Sequence, residues 1–147
     1  MTDPAAQALA EQVVAAMMAS DQYSRWLGVE ILDVKPARVS IRMTVRREML
    51  NGFAVCHGGV TFAFADSAFA FACNTQGNLA VSIQNSMTYP AAVREGDVLT
   101  ADARETSRSN RILYYDVAVT RADGTSVGLF RGTAYRTEKP HPARGQA

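Results

Sequence analysis

Between positions 51 and 77 the sequence reads NGFAVCHGGVTFAFADSAFAFACNTQG, and two groups in it can do chemistry. The first is His57-Gly58-Gly59 at the start of a long apolar run. If that run is a helix, its first N–H groups are unpaired and carry partial positive charge. Glycines there let a ligand oxygen come close to the backbone, which is the makeup of an oxyanion hole. The plainer reading is tight packing at a helix start. The second group is Asp66, one acid among Ala, Phe, Val and Cys. A buried carboxylate finds hydrogen bonds or takes up a proton. In an apolar cleft it is a candidate general base or nucleophile; as a structural acid it would bond Ser67, a strand serine or an N–H.

Spacing constrains how the two could cooperate. Gly58 and Asp66 lie roughly 12 Å apart along a helix at about 1.5 Å per residue. One carbonyl carbon cannot sit beside both. If both act on the same atom they come from different chains, and a two-fold pair of antiparallel helices would bring each Asp66 to the other chain's glycines. The catalytic reading therefore requires a dimer.

Other residues in the segment have bland readings. Asn51-Gly52 is a strong turn dipeptide. Cys56-His57 with Cys73 makes a poor zinc site, because adjacent residues rarely ligate together and the other histidine, His141, is near the end of the chain. Phe62, Phe64, Phe69 and Phe71 read as core. Arg104, Arg108 and Arg111 around a hairpin tip read as a solvated turn, although arginines also suit phosphate groups.

The elements that must position these groups follow from periodicity. Leu9, Val13 and Met17 mark an amphipathic helix in residues 5–19, and Asp21 and Gly28 bracket a short turn. Two strands broken at Pro36 follow, with Ile41, Met43 and Val45 on the buried face. After the apolar helix, Leu79, Val81, Ile83, Asn85 and Met87 alternate with Ala80, Ser82, Gln84, Ser86 and Thr88. Three more strands end at LFRGTAYR, the last two joined by Asp123-Gly124. The fold class is α+β: an antiparallel six-stranded sheet wrapped around a central buried helix, with an extra N-terminal helix. The expected division is an N-terminal helix over 1–20, one domain over 21–137 and a disordered tail over 138–147.

Composition limits the partners. The chain has 147 residues, 48% hydrophobic and 20% charged, with a net charge of +1, and no basic block suggests nucleic acid or an anionic membrane. Two cysteines make no disulfide framework, and the N-terminus has no signal peptide, so a cytoplasmic protein is expected.

MLNGFAVCHGG, followed by the acid of FADSAFAFACNTQG, resembles the thioesterases of the hotdog fold, nearest to those of phenylacetate degradation. The likeness runs from about residue 20 to residue 137. It implies a homodimer with shared active sites, assembled into a tetramer, hydrolysing aryl-acyl-CoA of the phenylacetyl or hydroxyphenylacetyl type. Asp66 would activate water or attack the thioester, and Gly58 would give its N–H to the thioester oxygen, with Gly59 beside it. His57 and Asn51 would shape the site, Asn51 orienting water or substrate, and Ser82 would place a hydroxyl beside the acid. No cofactor or metal is implied, coenzyme A being part of the substrate. A thiolate leaves readily, since a thiol has a pKa of about 8.5, so one base and an oxyanion hole suffice. A hydratase or dehydratase of the same fold would need a histidine paired with an acid. A non-catalytic acyl-CoA-binding regulator is the third possibility.

Overall fold

Each α-helix begins where a side chain accepts from one of its free N–H groups. In the computed structural model, which describes residues 1–145, helix α1 (Pro4–Ser20) starts with Asp3 accepting from Ala5 N and with proline at the first position. Its buried residues are Ala10, Val13 and Val14, so the packed stripe is one step round from Leu9. Asp21 caps α2 (Gln22–Leu27) through Ser24 N at 2.8 Å, and Gly28, at φ 78°, ends it. Strands β1 (Glu30–Lys35) and β2 (Arg38–Thr44) form the hairpin expected around Pro36.

Helix α3 (Gly58–Asn74) is the apolar run. Four strands follow: β3 (Asn78–Thr88), β4 (Val98–Arg108), β5 (Ile112–Arg121) and β6 (Ser126–Pro140). The sheet is antiparallel throughout, in the order β1-β2-β4-β5-β6-β3. Its concave face is built from rows such as Val39, Ala103, Val117 and Phe130, and Ile41, Ala101 and Val119, in register across β2 to β6. All of these are buried and close over Phe64, Phe69 and Phe71, which are fully buried. Phe69 is wedged between Tyr115 and Phe130, with ring centroids 5.6 and 5.7 Å away.

One side of α3 escapes the sheet. Ala63, Asp66 and Ala70, spaced at helical intervals, are only half-buried, and Gly59 is exposed. Asn74 fixes the strand beside that side. Its Nδ2 donates to Ala70 O at 2.9 Å and Ala80 O at 3.1 Å, and its Oδ1 accepts from Ala80 N at 2.9 Å. The end of α3 is thereby tied to the start of β3.

Two expectations need correction. Residues from Glu138 onward are not a disordered tail as far as they are described. β6 runs on to Pro140, which pairs with Asn78, while His141 and Ala143 are buried and Gln12 Nε2 donates to Ala143 O at 2.9 Å. Apolar contact and backbone pairing outweigh the prolines there; residues 146–147 lie outside the described residues. In β3, the register shifts between Ser82 and Gln84. This bulge breaks the simple alternation, leaving Val81 and Ile83 at 45% and 56% exposure while Ala80 is buried.

Gly132 on β6 tests this packing. A Cβ there would lie 2.8 Å from the Phe69 ring, which has no room to retreat. Gly132→Ala is expected to destabilise the protein by about 1–3 kcal/mol, as overpacked cores do, read as a lower urea midpoint with an unchanged slope.

Candidate active site

The loop before α3 is shaped by Asn51. Its Oδ1 accepts from Phe53 N at 2.9 Å and Val55 N at 3.4 Å, and its own N–H donates to Val55 O at 2.8 Å. Ala54, at φ 59°, completes the turn. The chain then enters the helix under clamp. Cys56 N donates to Val93 O at 2.7 Å, His57 N to Met49 O at 2.8 Å, and the Tyr89 hydroxyl to Gly58 O at 2.9 Å.

These bonds decide which helix donor is free. His57 is the N-cap, and its Nδ1 accepts from Gly59 N at 2.9 Å, which puts the ring proton of neutral His57 on Nε2. Gly59 must be small for this, since a Cβ there would lie 3.0 Å from Nδ1. Val60 N donates to His57 O at 2.9 Å. The Gly58 N–H has no partner among the described residues. It is the donor left for a ligand, at the positive end of α3. Beside it lies a cavity of about 250 Å³ lined by Val55, Cys56, Ala91, Ala92, Val93 and Val127, with Gly58 and Tyr89 among its walls.

Asp66 faces β3. Asn85 Nδ2 donates to its Oδ1 at 3.0 Å, and Ser82 Oγ donates in turn to Asn85 Oδ1 at 3.0 Å. Ser67 is taken by Ser24, at 2.8 Å between hydroxyls, and so does not serve the acid. Burial pushes the Asp66 carboxyl above its ordinary value, the Asn85 amide pulls it back, and the Asp21 charge adds a smaller push upward. The site thus holds a carboxylate of enhanced basicity on the open side of α3.

The remaining residues sort themselves by contact. Asn51, His57, Gly58 and Gly59 gather at the start of α3, whereas Ser82 stands with Asp66 further along the helix. Both cysteines are free; burial raises the Cys56 thiol and pushes Cys73 up to about 12, so neither is a ready thiolate. Among the described residues no group of three or more His, Cys, Asp or Glu could hold a metal ion. Arg104, Arg108 and Arg111 pair with Asp102, Glu105 and Glu138, as a solvated turn would. Sequence reasoning missed Asn85 and Tyr89 as site residues. The signal for Asn85 was an amide in an otherwise apolar row, which demands a partner; Tyr89 gave none.

Known proteins resemble this chain in sequence and fold. The thioesterase superfamily profile fits residues 53–127. The acyl-coenzyme A thioesterase PaaI of Escherichia coli is 36% identical over 121 residues, covering 82% of this chain and 86% of that protein. The solved structure of Escherichia coli PaaI, from the phenylacetic acid degradation operon, superposes with a TM-score of 0.89 at 34% identity, covering 91% of this chain and 97% of that one. A Streptococcus mutans protein solved bound to acetyl CoA superposes at 0.73 with 25% identity, covering 76% and 90%. The chain belongs to the thioesterase superfamily and is a thioester hydrolase of the hotdog fold.

Proposed function

We propose that this protein is an acyl-CoA thioesterase whose active sites are shared between two chains. The observation that carries this is the pairing of one free N–H, at Gly58, with one half-buried carboxylate, at Asp66, on a single helix and too far apart to meet. In a two-fold dimer the uncovered side of α3 lies along its copy, and β3, an edge strand of the sheet with Val81 and Ile83 exposed, pairs with its own copy. Asp66 then reaches Gly58 of the partner subunit. The thioester oxygen accepts from that N–H, and Asp66 takes a proton from water as the water oxygen bonds to the carbonyl carbon. The oxyanion formed is held by the N–H and the helix dipole. It collapses by breaking the C–S bond, and the departing thiolate receives the proton.

His57 holds the helix start in shape by capping Gly59, Asn51 sets the loop before it, and Ser82 acts on the acid through Asn85. The apolar cavity beside Gly58 takes the acyl group. An aryl-acetyl group of the phenylacetyl type fits its size, and the likeness to PaaI favours that class. Coenzyme A enters as substrate, in keeping with the acetyl CoA held by the Streptococcus mutans relative, and no other cofactor takes part. Dimers associate into a tetramer. Two free cysteines suit the reducing cytoplasm, and no helix among the described residues is long and apolar enough to cross a membrane. A dehydratase would need His57 beside an acid, but its Nδ1 is committed to Gly59 N, and it makes no ion pair among the described residues.

Release of thiol from phenylacetyl-CoA and from alkyl-CoA esters, followed with a thiol reagent, tests the reaction and its acyl preference together. Phenylacetyl-CoA is expected to have the highest kcat/KM, and no thiol from any ester would refute hydrolysis.

Asp66→Asn is expected to stay folded and lose most turnover. Its effect on stability has a definite sign. Burial raises the folded pKa, so the contribution of Asp66 is favourable below the ordinary aspartate range and is lost as pH rises through the raised value. Near neutral pH the variant should therefore melt no lower than wild type, and any advantage should fade on acidification. A neutral-pH melting point well below wild type would contradict this.

Mixed dimers test the sharing. Asp66→Asn and Gly58→Pro, which deletes the N–H, are each inactive, yet in a heterodimer one site carries both changes and the other neither. About half of wild-type activity per heterodimer should return. Circular dichroism checks the fold of each parent, and a folded heterodimer without recovered activity would place both groups in one chain.

A further inference from the structure

We propose that Asn85 is a positioning residue for Asp66: with Ser82 it forms a hydrogen-bonded relay that holds the carboxylate ionised and aimed along the open side of α3. The bulge in β3 makes the relay possible. In a regular strand residues three apart point to opposite faces. Here Ser82 pairs with Ala134, Gln84 with Thr133 and Asn85 with Gly132, so one extra residue falls between Ser82 and Gln84. The extra residue returns Asn85 to the face of Ser82, where Ser82 Oγ meets Asn85 Oδ1 at 3.0 Å. That bond leaves the amide nitrogen pointing at Asp66 Oδ1, also at 3.0 Å. Reversing the amide would set its oxygen against an ionised carboxylate and would lose the donor. The Asn74 clip at the start of β3 fixes how far along α3 this pair falls.

The relay opposes the other influences on the acid. Burial and the Asp21 charge, at the head of α2, both favour the protonated form, and Asn85 is the side chain that favours the ionised one. Cys73, further along α3, is a neutral thiol at ordinary pH, and β3 offers Asp66 an amide and no charge. A donor to the charged form lowers a carboxyl pKa, so without Asn85 the acid would hold its proton to higher pH. This inference rests on Asp66 serving as the base in the proposed reaction.

The test follows Asp66 itself as well as turnover. The full-length protein is labelled with 13C at aspartate side-chain carboxyls, and the Asp66 signal is assigned by its loss in Asp66→Asn. In Asn85→Leu the titration midpoint of Asp66 should move to higher pH, and in Ser82→Ala it should move the same way by less. The acid limb of kcat/KM should follow, giving a several-fold loss at acid pH that shrinks at alkaline pH. Asn85→Ser, polar but too short to reach, gives the same reading if the leucine variant does not fold. An unmoved midpoint in a folded Asn85 variant would overturn the proposal. So would a loss of turnover equal at every pH, which is what a purely structural asparagine would give. If the midpoint moves while the wild type hydrolyses no thioester, the positioning stands and the hydrolytic reading fails.

Discussion

A helix with no polar face cannot rest on a surface; it has to be enclosed, and the rest of this fold follows from that requirement. Six strands curl around α3, and their concave rows of Val, Ala, Leu and Phe match its aromatic side chains. Enclosure by one sheet is incomplete, because a sheet covers a cylinder only part of the way round. The gap falls on Ala63, Asp66 and Ala70. The residue that is hardest to bury therefore sits on the stretch of helix that the chain's own strands leave open, and one strand, β3, stands at its margin.

In the proposed reaction the same helix supplies both halves of the chemistry by different means. At its start, neighbouring groups take up Gly59 and Val60 and leave Gly58, so selectivity among donors comes from satisfying the others. Further along, burial pushes the Asp66 carboxyl above its ordinary value and the Asn85 amide pulls it part of the way back. Neither device needs a charged partner. Both depend on backbone geometry: a tight glycine in one case, a bulge in the other.

Much of this was legible in the residues. The period of β2, the Asp21 and Gly28 boundaries and the all-apolar α3 each carry a strong local signal, and His57-Gly58-Gly59 with Asp66 marked the candidate site. The division of labour between Gly58 and Gly59 was not legible, because it turns on a ring nitrogen meeting one N–H. Nor was the environment of Asp66. Alternation put Asn85 in the same row as Val81 and Ile83, but a bulge changes the phase without changing composition, so those two face outward and Asn85 faces the helix. The end of the chain was misjudged for a related reason. Its prolines and polar residues suggest a loose tail, while pairing with Asn78 and contact with α1 are long-range and leave no local mark.

The strand order also bears on how the molecule is made. β3 is synthesised right after α3, yet among the described residues its strand neighbour is β6, the last of the six in chain order. Until β6 threads between β5 and β3, the apolar edge at Val81 and Ile83 has no strand beside it on either side, and α3 lacks one wall. Such long-range closure is slow compared with local hairpins. A nascent chain is thus most prone to stray strand pairing just before β6 is complete.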